Sequence, residues 1–427
     1  MNVRAAVTVL GAVVVMSVAQ AQTPRQVSSS RTTALYAAVG AELIQYDVDV
    51  KTATLTRRGS VTLPANVQYA WRHPSSPYFY VAWSNGGASY VGARGGTAGP
   101  AGTRHGVTTF RIDASGALQE KGQMASLPSR PIHLSVDMRG THVLIAYNDP
   151  SGVTVHRIES DGTVGAEVKQ PAPLDVGIYA HQIRVDPSNT MAFLVTRGNG
   201  PTPGHPEDPG GLKMFSYEDG VLANRGAVAP GGGINFQPRH LDFHPSRPWI
   251  FLSLERQHKI QMYERLTDGT LGAAAYTKDT LADPARARPT QTASTVHVHP
   301  SGRFVYIANR ATDTTSFEGK TVFAGGENSI AVFAIDQDTG EPTLIQSIDT
   351  RGVQPRTFAL DPSGRVLVAG NQSALAVRDG TVVRDVAAGL ATFRVGDNGK
   401  LEFVRKYDTA TTAPAVTLFW MGIVPLP

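Results

Sequence analysis

Six times along this 427-residue chain the same short pattern recurs: an apolar run, a turn carrying Asp or His before Pro or Met, and a second apolar run. The copies read YAWRHPSSPYFYVAWS, HLSVDMRGTHVLIAYN, QIRVDPSNTMAFLVTR, HLDFHPSRPWIFLSLE, TVHVHPSGRFVYIANR and TFALDPSGRVLVAGNQ. Their anchors His73, Asp137, Asp186, His244, His299 and Asp361 lie 64, 49, 58, 55 and 62 residues apart. A unit that small cannot bury its own apolar faces, so neighbouring copies must pack on one another.

Most copies are followed by a third apolar run with a D-G or T-G turn, as in IQMYERLTDGTL and IAVFAIDQDTGEP. Apolar runs of about 4–8 residues bounded by turn formers read as strands, and 43 Gly with 28 Pro supply the turns. Long helical periodicity is absent. Strand, turn, strand, loop, strand, turn, strand is one four-stranded blade, so the expected fold is all-β: a seven-bladed β-propeller of four-stranded antiparallel blades. The seventh blade has to come from both ends. Leu35–Val39, Leu43–Val48 and a short strand near Thr52–Leu55 lack an inner strand of their own, and Ala415–Met421 is a lone apolar strand. Joining them closes the ring and hides its sheet edges.

Arg4, the apolar stretch Ala5 to Val18 and the small residues of Ala19-Gln20-Ala21 have the form of a cleavable export signal. Residues 1–21 are therefore expected to be a signal peptide, and 22–427 a single propeller domain in the periplasm or secreted, with no membrane attachment after cleavage. The absence of Cys excludes disulfides, thiolate zinc sites and cysteine nucleophiles. The 39 basic and 35 acidic residues are scattered without a basic run, so no nucleic-acid partner is expected. No G-x-S-x-G or H-E-x-x-H occurs, and Gly319–Thr321 lacks the spacing of a phosphate loop. The sequence calls for no cofactor and no metal, and it leaves the oligomeric state open.

Within a blade, residues six before and ten after each Pro/Met position fall near the same end of the central channel. The former are Gln68, Ile132, His181, Arg239, Ser294 and Arg356; the latter are Ser84, Asn148, Arg197, Glu255, Arg310 and Gln372. Core packing alone does not gather so many large polar groups in matched register. Insertions at 85–106, 198–211, 311–328 and 374–388 follow the second strand and rise from that same mouth, where binding loops belong. His73, His244 and His299 stand where sister copies carry Asp, and read as hydrogen-bonding groups of the turn. His133, His240 and His297, on inner strands, read as packing groups.

The segments PRHLDFHPSRPWIFLSLE, VHPSGRFVYIANR, SIAVFAIDQDTGEP and GVQPRTFALDPSGRVLVAGNQ resemble the seven-bladed propeller lactonases, most strongly from His181 to Gln372. That family includes bacterial propeller-type 6-phosphogluconolactonases and fungal 3-carboxy-cis,cis-muconate lactonizing enzymes. The resemblance implies His181, Arg239, Glu255 and Arg310 as the catalytic constellation and Arg356 as a further anion contact. Register adds Arg197, Gln372 and Asn148 as substrate-binding candidates. The residue types suit the chemistry. Guanidinium forks hold a carboxylate or phosphate, a neutral His or a carboxylate can take a proton from water, and Arg can stabilise an oxyanion. His181 or Glu255 is the candidate general acid/base, with Arg239 and Arg310 holding the anion. A buried ion network that only pins blades together is the competing reading of Glu255. The activity implied is metal-independent opening of an anionic sugar lactone, as in 6-phosphogluconolactonase. The alternatives are a cyclase acting on a muconate-type diacid, and a non-catalytic exported propeller that binds through its inserted loops.

Overall fold

The computed structural model describes residue 1 and residues 33–87, 99–409 and 417–427; the expected export signal lies outside the described residues, Met1 excepted. By internal contacts the chain divides into Met1–Arg31 and a unit spanning Thr32–Pro427. The second unit is a ring of seven four-stranded antiparallel blades, one of which carries a short fifth strand. Taken in chain order, the inner strands of the first six blades are Asn66–Arg72, Pro131–Val136, Ala180–Val185, Pro238–Phe243, Thr292–Val298 and Val353–Leu360.

The seventh blade closes the ring from both ends. Its inner strand, Leu418–Pro425, pairs antiparallel with Thr33–Val39 from Thr33↔Pro425 to Val39↔Leu418, and Glu42–Asp49 and Thr54–Thr62 complete it. The outermost strand is longer than the short one expected near Thr52–Leu55. Its residues from Thr56 to Ser60 are solvent-exposed, so it carries no apolar run to betray it. The inner strand likewise continues past Met421 to Pro425.

Two of the four insertions hold hairpins of their own, Thr314–Phe317 with Lys320–Phe323 and Leu375–Asp379 with Val382–Val386. That at 198–211 holds an isolated bridge between Thr202 and His205. The one at 85–106 lies partly outside the described residues, at 88–98.

Each blade buries one apolar face against the next. Phe193 and Val195 of the third blade pack with Phe243, Leu252 and Tyr263 of the fourth, all of them buried. Polar bridges repeat around the ring beside these faces. The Tyr36, Tyr80 and Tyr306 hydroxyls donate to the carbonyls of Gly116, Gly162 and Gly399 in the following blade, at 2.5, 2.9 and 2.9 Å.

The turn histidines form a second set of bridges. His244 Nδ1 accepts from the Ser246 and Arg247 amides, so its Nε2 carries the proton and donates to the Gly302 carbonyl of the next blade at 2.9 Å. His73 and His299 repeat this onto Gly140 and Gly364, each at 2.9 Å. Where the anchor is Asp, its carboxylate instead accepts the turn's own amides, as Asp137 does from Thr141 and His142. Gly302 has φ +72°, and a Cβ there would sit 2.5 Å from the His244 ring, so both backbone and bridge require glycine.

Candidate functional site

Every inner strand slips register by one residue at the same height. The residue left without a cross-strand partner is Gln68, Ile132, His181, Arg239, Arg356 or Phe419, and in the fifth blade the slip spans Ser294 and Thr295. A regular strand sends successive side chains to opposite faces, and a bulge re-aims one of them. Here Ile132, His181, Arg239, Arg356 and Phe419 line one cavity at the mouth where the inner strands begin. Tyr69, His240, Thr357 and Trp420, which follow the slip, and Thr295 within it line a second cavity toward the turns. Ser294 helps hold the bulge of the next blade by donating to the Arg356 carbonyl at 2.6 Å.

The upper cavity, of about 450 Å³, brings together His181, Arg197, Arg239, Glu255, Arg310, Arg356 and Gln372. Asn148 is not among its lining residues. It is buried beside the cavity, and its Oδ1 accepts from Arg130 at 3.3 Å. Gln68, Ser84 and Ser294 also stand back from the cavity wall. The lining further includes Arg130, Tyr179, Thr292 and Gln354, which sequence reasoning passed over. Each lies eight residues before its Pro/Met position, two before the bulge, and the period of two along a strand was the signal that could have found them. Arg256, His258, Arg288 and Gln291 come from the loops around the mouth.

Glu255, just past the strand Trp249–Leu254, is the hub. Its backbone amide donates to the Gln237 carbonyl at 2.9 Å, and its own carbonyl accepts from Ala293 at 2.8 Å, which fixes it between the inner strands of two blades. Its carboxylate accepts from Arg197 at 2.9 Å and Arg310 at 2.5 Å, with Arg239 Nε at 3.4 Å. Arg310 is steadied by the Thr292 hydroxyl at 3.1 Å, and Arg197 lies on the Tyr179 ring, 4.2 Å from its centroid. Burial pushes the Glu255 carboxyl upward, but Arg197, Arg310 and Arg239 outweigh it and hold the group well below the usual carboxylate range. Glu255 is thus an anion at neutral pH with its basicity spent on three guanidiniums.

His181 is the opposite case. It is 6% exposed, its Nδ1 has no hydrogen-bond partner among the described residues, and burial followed by the Arg239 charge holds its pKa well below the ordinary histidine value. The imidazole is neutral at pH 7, with a nitrogen able to accept a proton. Burial also draws Arg239 and Arg356 down to about 9, which leaves both cationic at neutral pH. Seven arginines and one carboxylate line the cavity, so its charge favours an anionic ligand. Among the described residues no three His, Asp or Glu side chains converge as a metal-ligand set.

The family described as Lactonase, 7-bladed beta-propeller, matches over residues 29–389. The chain belongs to this lactonase family. Among its relatives, a 6-phosphogluconolactonase of Bacillus subtilis is 32% identical over 277 residues, which cover 62% of this chain and 70% of the relative. A 6-phosphogluconolactonase of Serratia proteamaculans is 27% identical over 316 residues, covering 73% and 80%. Among solved structures, a periplasmic gluconolactonase of Pseudomonas aeruginosa superposes with a TM-score of 0.69 over 93% of this chain and all of that one, at 20% identity. At that identity the likeness is one of fold. In this lactonase-family propeller the register-matched mouth is a cavity with a surplus of positive charge, seven arginines to one carboxylate. No helix among the described residues is long and apolar enough to cross a membrane.

Proposed function

We propose that this chain is a lactone hydrolase of the 6-phosphogluconolactonase kind, that it opens an anionic sugar lactone at the arginine-lined mouth, and that it does so without a metal. The observation that carries the reading is the pairing of a neutral, buried His181 with an anionic Glu255 tied to three arginines in one cavity. A lactonase needs a base for water and a cation for the developing oxyanion. Metal independence rests on the donor set: a divalent cation entering this cavity would meet seven guanidiniums and a carboxylate already bound to three of them.

In the proposed sequence water adds to the lactone carbonyl carbon as its proton passes to His181. The carbonyl oxygen becomes an oxyanion facing Arg239, the guanidinium that acts most strongly on His181. Collapse restores the carbonyl and breaks the bond from that carbon to the ring oxygen, which takes the proton back from His181. The product is the open hydroxy acid. Glu255 is the positioning residue that keeps Arg197, Arg239 and Arg310 in place. A cyclase would use the same groups but give no net acid. The N-terminal segment further supports export, which N-terminal sequencing of the mature protein checks against a start at Gln22.

Alkali uptake in a pH-stat, corrected for spontaneous opening, tests the hydrolase. Chelator-resistant acid release from 6-phosphoglucono-, glucono- or muconolactones that vanishes in Glu255→Gln supports it. No release from any lactone refutes it, and ring closure of a muconate-type diacid would then select the cyclase.

A further inference from the structure

Five arginines reach into the cavity from the blades themselves, and they fall into two groups. Arg197, Arg239 and Arg310, on the third to fifth blades, share Glu255. Arg130 and Arg356 do not. They come from the second and sixth blades, on the other half of the ring, and meet over Phe419 of the seventh, with guanidinium carbons 5.8 and 3.7 Å from its ring centroid. Neither pairs with a carboxylate among the described residues. Arg356 donates to the Phe419 carbonyl at 2.8 Å, and Arg130 to the neutral Asn148 amide oxygen at 3.3 Å. Arg130 is 6% exposed, and its Nε has no hydrogen-bond partner among the described residues. Arg130 is buried and Arg356 half-buried, and two such like charges with no carboxylate bonded to either among the described residues oppose folding. Such an arrangement is retained where a ligand supplies the missing charge.

The geometry points to Arg130 and Arg356, seated on Phe419, as an oxyanion subsite that holds a phosphate or carboxylate of the substrate across the cavity from the reacting carbonyl. It rests on the hydrolase reading for its place in catalysis. A sugar lactone spanning the cavity presents its carbonyl to His181 and Arg239 and its remote anion to this pair. Guanidinium forks match both phosphate and carboxylate geometry, so the subsite selects charge at the far end of the ring. A neutral lactone lacks that contact and leaves the repulsion between the two arginines in place.

The test uses the full chain and its Arg130→Met and Arg356→Met variants with three lactones: 6-phosphogluconolactone, a glucaric acid lactone and neutral gluconolactone. The expected result is a rise of about 10- to 100-fold in KM for the charged lactones in either variant, with KM for gluconolactone nearly unchanged. Which charged lactone loses more separates phosphate from carboxylate as the natural anion. An equal rise for all three overturns the subsite. Thermal unfolding with added inorganic phosphate reads the same pair without turnover. Phosphate should raise the wild-type Tm and leave Arg130→Met unmoved, while unliganded Arg130→Met should melt no lower than wild type because an unpaired buried charge is gone. A lower melting point for Arg130→Met with an unaltered response to phosphate overturns the proposal. If the wild type turns over no lactone, the hydrolase reading falls, and a phosphate response that disappears in Arg130→Met still upholds the subsite.

Discussion

The two mouths of the channel are built from consecutive residues of the same inner strands, yet they treat charge in opposite ways. Near the lower mouth Asp242 accepts from Arg184 at 3.2 Å and from the amides of Phe243 and Val298, each at 3.0 Å, and lies 3.5 Å from His297 Nδ1. Arg184 rests on the Trp71 ring, 4.7 Å from its centroid. The cavity there, of about 360 Å³, is walled largely by Tyr69, Trp71, Phe79, Trp420 and the turn prolines. Charge at that end is answered within the ring. At the upper mouth five blade arginines line the cavity, and three of them share its one carboxylate. Ion pairs that close on themselves hold blades together, whereas a surplus left open is a site prepared for a ligand. The histidines divide in the same way. Those of the turns use both ring nitrogens, while His133 has neither bonded among the described residues.

The largest expected effect comes from the base. His181→Asn should lower kcat/KM by about 10²- to 10⁴-fold with a normal melting curve, as the mutated nitrogen bonds nothing that holds the fold. Full activity in that variant would move the chemistry away from this mouth. The counterpart at the lower mouth is Asp242→Asn, which leaves Arg184 and His297 facing a neutral amide. Breaking a buried pair costs about 3–5 kcal/mol, and the group's partial exposure places this variant at the low end. Urea unfolding should show that loss while kcat and KM per folded molecule stay as they were. A selective loss of turnover would mean that the two mouths are coupled.

A pH series sharpens the contrast through the histidines of the channel. His181, His240 and His133 run along it, with ring centroids 5.1 and 6.4 Å apart, and burial first, then the neighbouring arginines, keeps all three neutral well below the ordinary histidine value. As pH falls below about 6.5, the unfolded chain takes up protons that the folded chain refuses. Stability therefore declines with falling pH, by about 1.4 kcal/mol per unit for each such histidine. Glu255 adds a loss only at lower pH, from the ordinary carboxylate range downward, where the unfolded chain protonates it and the folded chain still holds it ionised. Urea unfolding between pH 6 and 5 should show the slope, and His181→Asn should flatten it by one histidine's share. For the same reason the acidic limb of kcat/KM should lie well below 6.5. A limb at 6.5 would contradict a buried neutral base.

What the sequence discloses follows from what leaves a local mark. The Asp/His-Pro turns have a fixed chemistry, so six blades and their inner and second strands could be read from HPSG-like anchors alone. Glu255, Arg310, Arg197 and Gln372 were placed because they sit ten residues past the Pro that follows that anchor, across a second strand that runs unbroken from turn to mouth. The seventh blade has no such anchor, and so Phe419, which the two unpaired arginines share, went unseen. Arg130 was missed for a different reason. It lies two residues before Ile132, the apolar member of its register set, so the period of two that leads to it had no polar neighbour to start from. Asn148 shows the converse: its register is right, but the long Arg130 side chain reaches past it and takes the place on the cavity wall.

The smallest expected effect isolates one bridge on the turn face. The sister anchors Asp137, Asp186 and Asp361 accept the amides of their own turns, Asp186 with an added ion pair to Arg265 of the next blade. His244→Asp should therefore keep the turn, since a carboxylate accepts the Ser246 and Arg247 amides that His244 Nδ1 now accepts. It loses only the donor to Gly302, because an ionised carboxylate has no proton to give. One neutral hydrogen bond removed costs about 1 kcal/mol, read as a lower urea midpoint at an unchanged slope. Turnover and KM should not move, because the bridge lies at the end of the ring remote from Glu255. A change in KM would show that the turns transmit to the arginine mouth, and that the two ends are not independent. A loss of several kcal/mol would mean instead that the bridge orients a whole blade, and that closure of the ring depends on the histidine turns as much as on the strand Leu418–Pro425.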